Sequence, residues 1–209
     1  MPSDSPSILL LIPAYNEESR IGPVLGEYAL YFREHHPDNF HLVVVLNGCT
    51  DDTLGIVERA SEQFPEISHV NIPEPVGKGG ALIEGLKLAP EADLVGYVDA
   101  DGATPPAAFD DLVTECAGAD CVIGSRWMAG SVLRQEQTFR RKFASRVFHA
   151  IVQAFFWMNI RDTQCGAKVM RRGAVETIHE QLTVADMAFD INLLYALKRS
   201  GYSVREVPT

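Results

Sequence analysis

Four short apolar runs constrain this chain more than any other feature, because each is closed by a polar or glycine-rich turn and the first three lead into segments of helical period. Ser7-Ile-Leu-Leu-Leu-Ile-Pro13 is uninterrupted in the manner of a central parallel strand buried on both faces, and Pro13 closes it. After the polar turn Ala14-Tyr15-Asn16-Glu17-Glu18-Ser19, the residues Ile21, Val24, Leu25, Tyr28, Ala29 and Phe32 recur at helical spacing. Phe40 to Leu46 repeats the pattern. It ends in the turn Asn47-Gly48, and an Asp/Thr cluster up to Thr53 is expected to cap a helix through Phe64. A short strand near His69 to Ile72 leads through Pro75-Val-Gly-Lys-Gly-Gly-Ala81 into a helix through Leu88. Alternation of this kind builds an α/β fold, a mostly parallel sheet flanked by helices with right-handed crossovers. Ligands of such a sheet bind beyond the carboxyl ends of its strands.

The fourth run, Leu94, Val95, Tyr97 and Val98, delivers two carboxylates to that edge, Asp99 and Asp101. Two positions apart in an extended chain, they face the same way and repel one another unless a cation or shared proton lies between them. Hard oxygen ligands suit Mg²⁺ or Mn²⁺, so one reading is a divalent metal holding phosphates. The other is an Asp-Ala-Asp-Gly turn whose carboxylates cap backbone amides before Pro105-Pro106 starts a helix. Gly77-Lys78-Gly79-Gly80 also has two readings: a close backbone approach to phosphate with Lys78 at a helix start, or a flexible entry turn with a solvated lysine. It lacks the Ser/Thr and the glycine spacing of a P-loop.

Beyond a helix from Pro105 to Cys116, the strand Asp120 to Arg126 places Arg126 at its exit, to meet phosphates bidentately or to form a structural ion pair. Arg134, Arg140, Arg141, Lys142 and Arg146 then cluster in an otherwise acidic chain, and Phe139, Phe143, Val147, Ile151 and Phe155 recur every four residues. Such a stripe packs on its own core or lies at an anionic membrane surface, with core packing the expectation; the arginines could hold an acidic acceptor. A strand at Val169-Met170, helices from Gly173 to Glu180 and from Asp186 to Ser200, and a strand from Tyr202 to Val207 complete the reading. Asp186 and Asp190 stand four apart at the start of the last helix, where acids also complement the macrodipole.

The net charge of −10 argues against a nucleic-acid partner held through phosphates. Four cysteines without paired metal-ligand spacing suit a reducing cytoplasm. With no basic-then-apolar leader and no run of about 18 apolar residues, the chain is expected to be soluble and cytoplasmic, peripheral at a membrane face.

Ile12-Pro-Ala-Tyr-Asn-Glu17, Gly77-Lys-Gly-Gly-Ala81 and Asp99-Ala-Asp-Gly-Ala-Thr104 together resemble the inverting family 2 glycosyltransferases of the Rossmann-like GT-A fold. Arg161-Asp-Thr-Gln-Cys-Gly166 and Ala188-Phe-Asp190 make the chain most similar to the dolichyl-phosphate glucosyltransferase branch, with dolichyl-phosphate mannose synthase more distant. The resemblance runs from Ile8 to the end and implies one catalytic domain over residues 1–209, with a nucleotide-binding part at about 7–126 and an acceptor-side part at about 127–209. It implies that Pro13, Ala14, Tyr15, Glu17, Asn47, Lys78, Gly79, Asp99 and Ala100 line the nucleotide-sugar pocket. Asp101, with Asp99, would hold Mg²⁺ or Mn²⁺ on the diphosphate. Arg126, Arg140 and Arg141 would hold donor and acceptor phosphates, and Asp190 would stand on the acceptor side. The implied activity is transfer of glucose from UDP-glucose to a polyprenyl phosphate at the membrane surface. Mannose from GDP-mannose, transfer to a soluble or glycan hydroxyl, and a catalytically silent sugar-nucleotide-binding module are the alternatives. The chain departs from relatives at Leu46-Asn47-Gly48-Cys49, where many carry two acids, and at Pro208-Thr209, where relatives continue. Either the protein is short on the acceptor side or this sequence is a fragment of a longer chain.

Overall fold

A computed structural model of the chain describes residues 5–126, 128 and 160–209. The basic cluster at 134–146, with Arg140 and Arg141 in it, and the aromatic stripe beginning at Phe139 lie outside the described residues. The strands are β1 (Ile8–Ala14), β2 (Phe40–Asn47), β3 (Ile67–Ile72), β4 (Leu94–Tyr97), β5 (Cys121–Ser125), β6 (Lys168–Arg171) and β7 (Val204–Pro208). They form one sheet in the order β3-β2-β1-β4-β6-β5-β7. The helices are α1 (Ile21–His35), α2 (Thr53–Gln63), α3 (Gly77–Gly85), α4 (Pro106–Glu115), α5 (Arg172–Ile178) and α6 (Phe189–Arg199).

The side-chain alternation of β1 divides the core in two. Ile8, Leu10 and Ile12 face α1, α2 and α4, whereas Leu9 and Leu11 face α3, α5 and α6. Both faces are covered, which is why the run contains no polar residue. Each such side chain, fully buried, contributes on the order of 1.5–3 kcal/mol. The four cysteines are free, and burial pushes the Cys116 thiol up to about 11.

Every pairing in the sheet is parallel except those of β6, which runs antiparallel between β4 and β5. Its direction follows from where the chain returns. Asp162 accepts hydrogen bonds from the backbone and guanidinium of Arg126, so the approach to β6 begins at the carboxyl edge where β5 ended. Two helix boundaries differ from the sequence expectation. α3 stops at Gly85 and continues as a tighter 3₁₀ turn, Leu86–Glu91, that includes Pro90, which has no amide N–H to give a helix. α6 begins at Phe189 rather than Asp186, because Asp186 Oδ1 accepts the Ala188 N–H at 2.8 Å and closes a local turn first.

Candidate functional site

The carboxyl ends of β1, β2 and β4 and the start of α3 enclose an open cleft of about 410 Å³. Pro13, Ala14, Tyr15 and Glu17 come to it from β1, Asn47 from β2, Lys78 from α3, and Asp99, Ala100 and Asp101 from β4. Arg20, Gly77 and Met187 line it as well. Arg20 was legible in principle, since it stands three residues after Glu17 and forms a two-point ion pair with it. Met187 carries no such signal.

Polar turns latch the cleft walls to one another. Asn16, with φ 53°, accepts the Thr50 N–H at 2.8 Å, and Thr53 Oγ1 accepts the Glu17 N–H at 2.8 Å. Asp51, just before the α2 N-cap, accepts the Thr53 N–H at 3.1 Å and the Glu18 N–H at 3.1 Å, whereas the N-cap residue Asp52 makes no side-chain capping bond. Asn47 Oδ1 accepts the Val76 N–H at 2.7 Å and so holds the entry to α3. Three loops far apart in sequence therefore present one surface.

The Asp-Ala-Asp turn shows the capping reading at Asp101 and leaves both carboxylates at the cleft. Asp101 Oδ1 accepts the Ala103 N–H at 2.9 Å, which is the capping role, and its side chain is nevertheless exposed at the cleft. Asp99 Oδ1 pairs with Lys78 Nζ at 2.5 Å. Burial lowers the Lys78 pKa, but Asp99, Asp190 and Asp101 outweigh it and hold the ammonium above its ordinary value. On its other side Asp99 rests against Gly166, where any Cβ would collide with the carboxylate. No group of three His, Cys, Asp or Glu among the described residues could hold a metal by itself. Two cleft-facing carboxylates with hard oxygens fit Mg²⁺ or Mn²⁺ that takes its remaining ligands from a bound diphosphate.

Gly79 does not line the cleft. It is buried, and a Cβ there would stand 2.6 Å from the Val184 carbonyl oxygen and 2.7 Å from Phe189 Cβ. The glycine lets α3 pack against the segment before α6, and Lys78 is aimed by that contact. Gly79→Ala should lower stability by roughly 1–3 kcal/mol through overpacking, measured by urea unfolding. A change within about 0.5 kcal/mol, the range of ordinary surface substitutions, would contradict this packing.

Asp190 lies beneath the cleft, 5% exposed. Its Oδ1 accepts hydrogen bonds from Lys168 Nζ at 2.6 Å and from the Tyr97 hydroxyl at 2.5 Å. Lys168 also donates to the Cys165 carbonyl at 2.6 Å, and its ammonium stands 5.3 Å from the Tyr97 ring centroid. Burial alone would raise the Asp190 pKa, but the Lys168 and Lys78 charges and the hydrogen bonds outweigh it and hold the carboxyl below its usual range. The folded protein thus binds this proton less readily than the unfolded chain, whose Asp titrates near about 3.9. The resulting stabilisation is in full force at neutral pH and is lost as pH falls through the acid range. Between about pH 5 and pH 2, Asp190→Asn should give a shallower fall in melting temperature than the wild type; an equal slope would contradict the assignment.

Arg126 makes a bidentate pair with the buried Asp162 at 2.8 and 2.9 Å and is not part of the cleft wall. The hydrogen bond to Asp162 raises its pKa, and burial only partly opposes it. The ion-pair reading of Arg126 therefore describes its contacts. Lys168 escaped the sequence reading altogether, since a single lysine before Val169-Met170 looks like the end of a polar loop.

A mostly parallel sheet with an Asp-Ala-Asp turn facing a Lys-bearing helix start defines a protein of the GT-A class, and solved structures share this architecture. Glucosyl-3-phosphoglycerate synthase from Mycobacterium tuberculosis, in complex with Mn²⁺, UDP and phosphoglyceric acid, matches with a TM-score of 0.71 and 22% identity over 97% of this chain and 68% of that one. The chain belongs to glycosyl transferase family 2, whose model matches residues 9–178. It is 33% identical to dolichyl-phosphate beta-glucosyltransferase ALG5C of Trichomonas vaginalis over 95% of this chain, and 31% identical to the Drosophila melanogaster dolichyl-phosphate beta-glucosyltransferase over 98%. It spans 61% and 67% of the lengths of those relatives. No helix among the described residues is long and apolar enough to cross a membrane.

Proposed function

We propose that the chain transfers glucose from UDP-glucose to a polyprenyl phosphate, with inversion and with Mg²⁺ or Mn²⁺ bound, at the cytoplasmic face of a membrane. The observation that carries this reading is the convergence of Asp99, Asp101 and Lys78 on one cleft with the Pro13–Glu17 and Asn47 loops, in a chain about 30% identical to dolichyl-phosphate glucosyltransferases. Pro13, Ala14, Tyr15, Glu17 and Asn47 form the nucleotide side of the cleft, and Ala100 lets the donor lie close to the turn. Lys78 and Asp99 contact the diphosphate sugar, while Asp101 anchors the metal. A divalent ion bound there offsets the negative charge that develops on the leaving diphosphate.

An oxygen of the lipid phosphate attacks the anomeric carbon as the bond to the nucleoside diphosphate breaks. That nucleophile is already ionised at neutral pH, so the chain's task is to position it rather than to remove a proton. Arg140 and Arg141 are assigned to the acceptor phosphate. Arg126 is not assigned to the donor, because its charge is paired with the buried Asp162. Asp190, tied to Lys168 and Tyr97, acts through the charge of Lys78 and does not serve as a base. A hydroxyl acceptor would instead need a carboxylate base such as the exposed Asp186.

Turnover assays separate these readings. The chain, supplied with Mn²⁺ and either UDP-glucose or GDP-mannose, is expected to glycosylate polyprenyl phosphate in detergent micelles from UDP-glucose. Turnover of a soluble hydroxyl acceptor without lipid would overturn the acceptor. Turnover with GDP-mannose alone would overturn the donor.

A further inference from the structure

Lys168 is wholly buried in the middle of the fold, yet its two hydrogen bonds reach elements on opposite sides of Asp99. One goes to the carbonyl of Cys165, and the next residue, Gly166, packs against the Asp99 carboxylate. The other goes to Asp190 in the first turn of α6, and the segment just before that turn, Val184 to Asp186, packs on Gly77 and Gly79 on either side of Lys78. Lys168 and Tyr97 are also register partners across β6 and β4, the strand that carries Asp99 at its exit.

We propose that Lys168 is a positioning residue of the donor site: its ammonium fixes the loop before β6 and the start of α6 on the two sides of the Asp99–Lys78 pair, and so sets how that pair meets a nucleotide-diphosphate sugar. A buried ammonium needs oxygens around it, so it holds its partners to one geometry in a way that an apolar side chain cannot. The positioning acts on donor binding, and in that respect it rests on the function proposed above. Its effect on the two loops does not depend on which donor binds.

The experiment compares wild-type protein with Lys168→Met/Asp190→Asn, which removes both buried charges together while approximately preserving shape. Amide hydrogen exchange is read without ligand, and UDP-glucose affinity is read calorimetrically with Mn²⁺. The double variant is expected to fold, to exchange the amides of 163–167 and 185–189 at least about tenfold faster, and to bind UDP-glucose at least about tenfold more weakly, the equivalent of about 1.4 kcal/mol. Exchange and affinity within about twofold of wild type would overturn the proposal and leave Lys168 a packing residue. If the wild type binds no UDP-glucose, the proposed function fails, and the exchange data still decide the role of Lys168.

Tyr97→Phe provides a second arm should the double variant unfold. It removes one hydrogen bond to Asp190, which lowers overall stability, and leaves both bonds of Lys168, so UDP-glucose affinity should stay within about twofold of wild type. A tenfold loss of that affinity in Tyr97→Phe would overturn the assignment to Lys168.

Discussion

Asp190→Ala is expected to lower stability by about 3–5 kcal/mol, because it leaves the Lys168 ammonium buried without its carboxylate partner. The wild-type pair is 2.6 Å apart, with Lys168 fully buried and the Asp190 side chain 8% exposed, so water cannot replace the lost oxygen at low cost. For a domain of this size the loss corresponds to a fall in melting temperature of roughly 6–20 °C. The surface pair of Arg59 and Asp52 provides the contrast: both side chains are more than 60% exposed, and Asp52→Ala should cost no more than about 1 kcal/mol. Chemical unfolding of both variants checks the ranking. A cost below about 1 kcal/mol for Asp190→Ala would mean that the ion pair is not formed as described.

The second large effect is on binding rather than folding. Asp101→Ala should leave the sheet intact, since the residue is exposed and gives up one turn hydrogen bond to Ala103. Its melting temperature should change by no more than the loss of about 0.5–1.5 kcal/mol for a single hydrogen bond allows. Metal-dependent donor affinity should fall on the order of a hundredfold or more, because the ion's contribution to phosphate charge is worth several kcal/mol. The same variant binding UDP-glucose normally in the presence of Mn²⁺ would remove the metal role from Asp101.

The parallel part of the fold was written in the sequence in a direct way. Leu9 to Ile12 and Leu42 to Leu46 are buried on both faces, so their apolar runs are unbroken and each ends at a turn. β6 was harder to read. Four residues, Lys168 to Arg171, give the same pattern in either direction, and only the Arg126–Asp162 contact shows at which edge the chain returns. The length of α6 was overestimated because Asp186 and Asp190 look alike in sequence. One closes an exposed turn, whereas the other is a buried ion-pair partner.

In the site, the residues at strand ends were legible because the position of a turn after an apolar run fixes where its side chains go. Eight of the nine residues assigned to the nucleotide pocket line the cleft. Gly79 is the assigned residue outside the cleft lining, and a glycine required by a neighbouring backbone and one required by a phosphate are the same letter. Here the neighbour is the Val184 carbonyl. Lys168 was invisible for the opposite reason. Lysine is a surface residue by default, and its carboxylate partner Asp190, 22 positions along the chain, reaches it only through the tertiary fold.

The central claim is that the cleft between β1, β2 and β4 binds a nucleotide sugar through a metal on the Asp99–Asp101 turn. Calorimetric titration of the chain with UDP-glucose and with GDP-mannose, each in Mn²⁺ and again in EDTA, tests it most directly. The expected result is binding of UDP-glucose in Mn²⁺ that EDTA abolishes, with GDP-mannose far weaker in both. Binding of neither donor in Mn²⁺, or equal binding of UDP-glucose with and without the metal, would contradict it.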